Sequence, residues 1–400
     1  MTPDTTITYC TNIHPARGLA GVMESIDGVS APLRARLAPA GVLPIGLRLS
    51  DAESRELDEP RALDSFAGFL AERGLAVACM NGFPFGDFSG APVKDAVHRP
   101  DWADERRVAY TLRLARLLAA LLPVGAPGGI STSPLTYRPW GEPSADRRRA
   151  MTTNIARVAA EFSRLSRETG RDLHLAIEPE PDGLIETAGE FTAWFTRELG
   201  RIASARPFAM NAEELRARIR VCLDACHSAV LFEEPAAALD EYARAGVRIG
   251  RVQVSGALDV MIPARRAERA ICVEALAPYA EPTYLHQTIG RRDDGALVRW
   301  RDLPEAIAAL AQTDAARWRI HYHVPIFWAG AGVLSTTQPC LRELLRLVRA
   351  RGACALFEIE TYTWAVLPAY LRRDLVDSIE REWRWLGRAL DSFTTPGESV

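Results

Sequence analysis

Residues 173–181 read LHLAIEPEP, and residues 220–227 read RVCLDACH. Each begins as a largely apolar run and ends on acids or a histidine. An apolar run without strict alternation suits a strand covered on both faces, as in a parallel sheet. Such runs recur along the chain, giving strand candidates at 7–12, 43–49, 75–81, 129–133, 173–178, 220–224, 247–255, 319–324 and 355–360. Amphipathic helical patterns separate them, at 51–73, 104–122, 145–169, 188–199, 212–218, 235–245, 338–351 and 369–390. Ser50-Asp51-Ala52-Glu53 and Asp146 read as helix starts, Gly74 and Gly170 as stops. Repeated strand–helix units predict a parallel sheet, and eight or more predict a (β/α)8 TIM barrel. Nine candidates compete for eight places. One of them, or the 284–290 run with its RRDDG turn, therefore belongs to an insertion, expected at 256–318. The reading is one domain, 1–400, with that insertion before the last strands and a C-terminal helix.

Composition narrows the function. With 48% hydrophobic and 25% charged residues the chain reads as globular. A net charge of −3 provides no general field for nucleic acid or anionic membrane. Of the 48 basic residues only Lys94 is lysine, so 47 are arginine. Arginine stays protonated and makes no Schiff base, so any lysine chemistry must run through Lys94. Residues 1–13 carry no hydrophobic run of leader length, and no run approaches the roughly 18 apolar residues of a membrane span. Seven cysteines with no leader fit a reducing cytoplasm and free, buried thiols.

Polar residues collect where the predicted strands end: Asn12 and His14, Asn81, Ser131 and Thr132, Glu178 and Glu180, Asp224 and His227, Gln253 and Ser255, His321 and His323, Glu358 and Glu360. In a barrel those ends share one rim, and that rim carries the active site. One acid at a strand end is as often a helix cap or ion-pair partner. Three apolar runs that all end in acids bring carboxylates together, and these need a cation or shared protons. We therefore expect a divalent metal (Mn, Mg, Zn or Fe) held by Glu178, Asp224 and either Glu358 or Glu360. Gln253 or a histidine, His323 or His321, completes the set. Asn12, His14 and Asn81 stand where barrels place substrate-polarising groups, and Glu180 faces the same side as Glu178. Phe83, Phe85, Phe88 and Trp140 are candidates for an apolar wall. Lys94, on a rim loop, reads as a phosphate or carboxylate contact, with Arg251, Arg291 and Arg292 as further candidates for anionic groups. Cys226 reads as a small apolar filler.

At these residues the chain resembles the xylose-isomerase-like TIM-barrel superfamily: Glu178, then Asp224-Ala225-Cys226-His227, Gln253, and Glu358 on the last strand. The runs TYCTNIHP (8–15), GLRLS (46–50), NGFPFGDF (81–88), ISTSP (130–134), AIEPEP (176–181), DACH (224–227), YLHQ (284–287), HYHVP (321–325) and EIETYTW (358–364) resemble the EboE family, "metabolite traffic" proteins of the bacterial Ebo gene cluster. The resemblance implies that Glu178 and Glu358 are metal ligands and proton-transfer bases, and that His227 bonds a substrate oxygen. It places Gln253 where relatives usually carry histidine. The endonuclease branch of the superfamily needs further histidines and a basic surface, which this chain lacks.

The function expected is a metal-dependent isomerase or epimerase of a secondary-metabolite pathway. Its substrate would be a sugar, sugar phosphate or cyclitol-like polyol, with proton transfer through an enediolate. The alternatives are a metal-dependent hydrolase or lyase on the same barrel, and a metabolite carrier without catalysis. The expected partner is a small polyhydroxylated metabolite, with no nucleic acid and no membrane insertion; a homo-oligomer is compatible with this reading.

Overall fold

Eight of the nine predicted strands pair, all in parallel, in one sheet. A computed structural model describes residues 5–88, 92–123 and 125–393; the first four residues of the N-terminal stretch read above lie outside them. Numbered along the chain, the barrel strands are β1 (Thr6–Tyr9), β2 (Leu43–Arg48), β3 (Leu75–Asn81), β4 (Pro127–Thr132), β5 (Asp172–Ile177), β6 (Ile219–Asp224) and β7 (Ile249–Val254). A second sheet follows, made of β8 (Leu258–Met261), β9 (Thr288–Arg291), β10 (Leu297–Trp300), β11 (Arg317–Ile320), β12 (Gly330–Ala331) and β13 (Leu334–Thr336). β14 (Leu356–Ile359) returns to the barrel. The order β1-β14-β7-β6-β5-β4-β3-β2 runs round the barrel. The parallel bridge pair Cys10 and Gly46 closes the seam between β1 and β2. The fold is a (β/α)8 barrel.

The ninth candidate, 319–324, does not enter the barrel. Its first residues form β11, antiparallel to both β8 and β9. The predicted end of the insertion at 318 is therefore too early: β13 also pairs with β8, and the second sheet continues to Thr336. Antiparallel pairing with distant strands is not visible in the local apolar pattern that barrel strands and β11 share. The consequence matters for the site, because the residues after β11, His321 to Val324, are carried over the barrel mouth.

The helices end where the sequence signals. Ser50 and Glu53 form a reciprocal capping box on the helix Asp51–Leu57. The 25-residue helix Ala145–Thr169 is capped by Ser144 and stops at Gly170, whose φ of +69° suits the left-handed position that glycine occupies without strain. Within the helix Glu105–Leu121, buried Arg107 donates to Pro100 O (2.9 Å), Gly82 O (2.8 Å) and Phe83 O (2.9 Å). Those bonds hold the guanidinium in place and fix the chain that leaves β3. The C-terminal helix Leu375–Ser392 buries Ile379, Leu386 and Leu390 and packs on β1 and on the helix Ala31–Leu37. Each such side chain contributes roughly 1.5–3 kcal/mol on burial. Among the described residues no helix is long and apolar enough to cross a membrane. None of the seven cysteines is paired.

Candidate metal centre

Three carboxylates meet at the C-terminal mouth of the barrel. Glu178 follows β5, Asp224 ends β6 and Glu360 follows β14. One ligand oxygen of each lies within 4.8 Å of the others, and all three side chains are buried. Burial pushes the carboxyl of Glu178 well above the usual range, with the charges of Asp224 and Glu180 adding to it. Burial does the same to Glu360, reinforced by Glu178 and Asp224. Three acids this close in a low-dielectric setting stay ionised together only beside a cation.

The hydrogen bonds around them leave one face bare. Asp224 Oδ1 accepts from His227 N (2.8 Å) and Ser255 Oγ (2.9 Å), while Oδ2 has no partner. Glu360 Oε1 accepts from Asn12 Nδ2 (2.6 Å) and Asn81 Nδ2 (2.9 Å). Glu178 Oε2 and both polar atoms of the Gln253 amide are also buried without a partner. His323 donates Nδ1–H to the Glu360 carbonyl, which leaves Nε2 as a free lone pair, likewise unpartnered. His227 Nδ1 faces Pro179 O at 3.0 Å, so its Nε2 is the accepting nitrogen. Burial lowers the pKa of His323 to about 4 and also depresses that of His227, keeping both rings neutral at physiological pH. Asp224, His227 and His323 form a second set with ligand atoms within 4.8 Å. Carboxylate oxygens with neutral imidazole nitrogens are the donor types that hold Mn, Fe or Zn, so the residues fit a divalent cation.

Glu358 occupies a different level. It is fully buried and paired with Arg251, and Cys79 Sγ donates to its Oε1 at 3.3 Å. Arg251 also donates to Met80 O (2.5 Å) and Gly129 O (3.3 Å). A Cβ on Gly46 would lie 1.7 Å from Glu358 Oε1, so only glycine leaves room for this carboxylate across the barrel. Glu360 stands two residues, about 6.6 Å, closer to the mouth. Of the two glutamates expected as alternative ligands, the geometry brings only Glu360 to Glu178 and Asp224. The second proton-transfer base expected of Glu358 would have to come from Glu360 as well.

A cavity opens above the cluster and is lined by Asn12, Asn81, Glu178, Glu180, His227, His321, His323 and Glu360 among others. Phe83, Phe88, Tyr284 and Tyr362 supply aromatic surface. Phe85 and Trp140, expected in that wall, pack elsewhere, on Tyr110 and on Tyr137. His14 is buried away from the cavity between Tyr9 Oη (3.2 Å) and Ser25 Oγ (3.3 Å). It acts in packing the first helix onto β1 rather than in touching a ligand. Lys94 lines the cavity, but its ammonium is taken by Asp302 Oδ2 (2.7 Å), Tyr284 O (2.6 Å) and Glu281 O (3.3 Å). It clasps the loop after β3 to the insertion and offers no free charge. His321 Nδ1 bonds Gln287 Oε1 at 2.7 Å. Two residues go unforeseen in the sequence reading. Tyr362 comes within 4.4 Å of the His323 ring, and its parity with Glu360 was the available signal. His98 ends the short 3-10 helix Lys94–His98, with no strand-end pattern to mark it.

No family model and no curated protein matches the chain. In overall course it is similar to the IolI protein with a bound zinc atom (10% identity, 98% of this chain and 99% of that one, TM-score 0.47). It is similar to the 3-keto-D-glucoside 4-epimerase YcjR from E. coli (12%, 96% and 100%, 0.46). It is also similar to AsbF, a probable 3-DHS dehydratase of petrobactin synthesis from Bacillus anthracis (13%, 96% and 98%, 0.45). The barrel assignment rests on the strand order of this chain rather than on these likenesses.

Proposed function

We propose that the protein is a divalent-metal-dependent isomerase or epimerase of a polyhydroxylated metabolite. The observation that carries this reading is the meeting of Glu178, Asp224 and Glu360 within 4.8 Å, buried, beside unpartnered oxygens and the free Nε2 of His323. Glu178, Asp224 and Glu360 would hold the cation, with His323 or Gln253 completing the set. When bound, the cation supplies a Lewis acid that polarises a carbonyl and its neighbouring hydroxyl.

The chain's own residues do the rest. Glu178 takes a proton from the carbon beside the carbonyl, leaving an enediolate, and Glu360 returns one. Asn12 and Asn81 hold Glu360 by Oε1, so its other oxygen faces the substrate. His227, locked by Pro179 O, presents Nε2 to a substrate oxygen. The aromatic wall of Phe83, Phe88, Tyr284 and Tyr362 supplies apolar surface beside the carbon that loses its proton. The resemblance of the quoted sequence runs to the EboE family supports a place in a secondary-metabolite pathway.

The test is exchange of solvent deuterium into polyhydroxy ketones by the Mn-loaded protein, with Glu178→Gln and Asp224→Asn as controls. Exchange that both variants abolish supports the reading. A metal-dependent hydrolysis or elimination without exchange would favour the hydrolase or lyase alternative. Metabolite binding unaltered in both variants would favour a carrier.

A further inference from the structure

His98 is the one histidine of the cavity whose ring nitrogens both lack a partner. Packing alone orients it: the ring stacks on Tyr137 with centroids 4.6 Å apart and meets Phe83 at 5.4 Å and Trp140 at 6.2 Å. Its Nε2 stands 3.6 Å from Glu180 Oε2, which is also buried and unpartnered. That gap is too long for a direct hydrogen bond. Two buried polar groups that stop short of each other, both facing a cavity, each lack a hydrogen-bond partner, which is costly away from water. Glu180 lines the cavity apart from the Glu178, Asp224 and Glu360 cluster, its own ligand-distance neighbours being His227 and His321. Burial holds His98 down at about 3, with the Arg107 charge adding to the effect, so the ring is neutral and one nitrogen donates while the other accepts.

The cations expected from the sequence to meet anionic groups are engaged elsewhere. Lys94 is held by Asp302. Arg251 is paired with Glu358 and Arg292 with Asp314 (2.7 Å). Arg291 lies over the Phe232 ring at 4.6 Å. None of these arginines lines the cavity, and apart from Lys94 no lysine or arginine does so among the described residues. At the His98–Glu180 end, away from the metal centre, a phosphate or carboxylate would meet the Glu180 carboxyl with no uncommitted lysine or arginine to receive it.

We propose that His98 and Glu180 form a clasp for one substrate hydroxyl, which donates to Glu180 Oε2 and accepts from His98 Nε2–H, and that the substrate is an uncharged polyol. A hydroxyl is both donor and acceptor and fills the gap with both bonds made, which an ester phosphate cannot do beside a carboxylate. The proposal rests on the metal-centre reading for the far end of the substrate, but its residues lie outside that centre. It also narrows the sugar, sugar phosphate or cyclitol range expected from sequence by removing the phosphate.

The experiment is calorimetric titration of the full chain, first with Mn2+ and then with matched pairs, each a neutral polyol and its monophosphate: myo-inositol, D-fructose and D-tagatose. The neutral member of at least one pair is expected to bind with a Kd about tenfold or more below that of its phosphate. Glu180→Gln and His98→Phe, which keeps the stacked ring, are each expected to weaken that binding about tenfold while the Mn2+ Kd stays within about twofold of wild type. His98→Gln serves if the phenylalanine variant does not fold. Tighter binding of every phosphate, binding of no neutral polyol, or wild-type polyol binding by both variants overturns the clasp. Polyol binding is read with and without Mn2+, so failure of the metal reading shows separately, as no Mn2+ uptake by the wild type.

Discussion

Arg251 and Glu358 form an ion pair inside the barrel, with 1% and 0% of their side chains exposed. The pair lies one layer beneath Glu360, so two glutamates separated by one residue do different work. Glu358 balances a buried cation, whereas Glu360 faces the cavity.

Removing one partner of such a pair strands the other charge. Glu358→Gln is expected to lower unfolding stability by about 3–5 kcal/mol, measured by urea denaturation, while the folded fraction still takes up one divalent ion. Glu360→Gln is expected to do the reverse, folding stably with little ion uptake. Ion loss confined to the Glu358 variant would exchange the two roles.

Asn12 and Asn81 both donate to Glu360 Oε1, at 2.6 and 2.9 Å. Groups that orient a ligand typically tune affinity by 10–100-fold. Asn81→Ala is expected to weaken Mn2+ binding by about that factor, read by titration at fixed pH. An unchanged Mn2+ Kd would show that Glu360 does not need this support.

Glu382, buried on the C-terminal helix, accepts from Thr361 Oγ (2.7 Å) and Ile326 N (3.0 Å), yet burial pushes its carboxyl up to about 8. In the unfolded chain it titrates near 4.5. The folded state therefore keeps the proton longer. This contribution to stability is complete below about pH 4.5 and falls as pH rises to 8, by on the order of 3–5 kcal/mol. Glu382→Gln removes that slope. The difference in unfolding free energy between variant and wild type is expected to grow in the variant's favour from pH 5 to 8, and a flat difference would mean the carboxyl ionises at its ordinary pH.

Lys94 joins the loop after β3 to Glu281, Tyr284 and Asp302. Lys94→Met is expected to cost about 1–3 kcal/mol and to raise amide hydrogen exchange across 281–302. Lys94→Arg tests whether charge alone suffices. Exchange unaltered in the methionine variant would remove the clasp.

Much of this was readable in advance, and the reasons are local. A barrel strand is an apolar run, and its functional end is where polar residues begin, so Glu178, Asp224 and the rim location follow from composition along a few residues. Glu358 and Glu360 share the parity that points both inward. Only Arg251, from another strand, separates them. β11 carries the same apolar signal as a barrel strand, and its antiparallel partners lie tens of residues away. His98 is positioned by Tyr137, Phe83 and Trp140 through ring packing, which leaves no periodic mark. Lys94 stood out by being the sole lysine, and its partners come from the insertion.

On the proposed function, a divalent ion sits among Glu178, Asp224 and Glu360. Crystals grown with Mn2+ and measured at an anomalous wavelength test it most directly. One strong peak is expected within about 2.0–2.5 Å of a carboxylate oxygen from each of the three, with His323 Nε2 or Gln253 Oε1 beside it. A map with full Mn2+ occupancy elsewhere and none between these carboxylates, or a peak coordinated by Glu358, would contradict it.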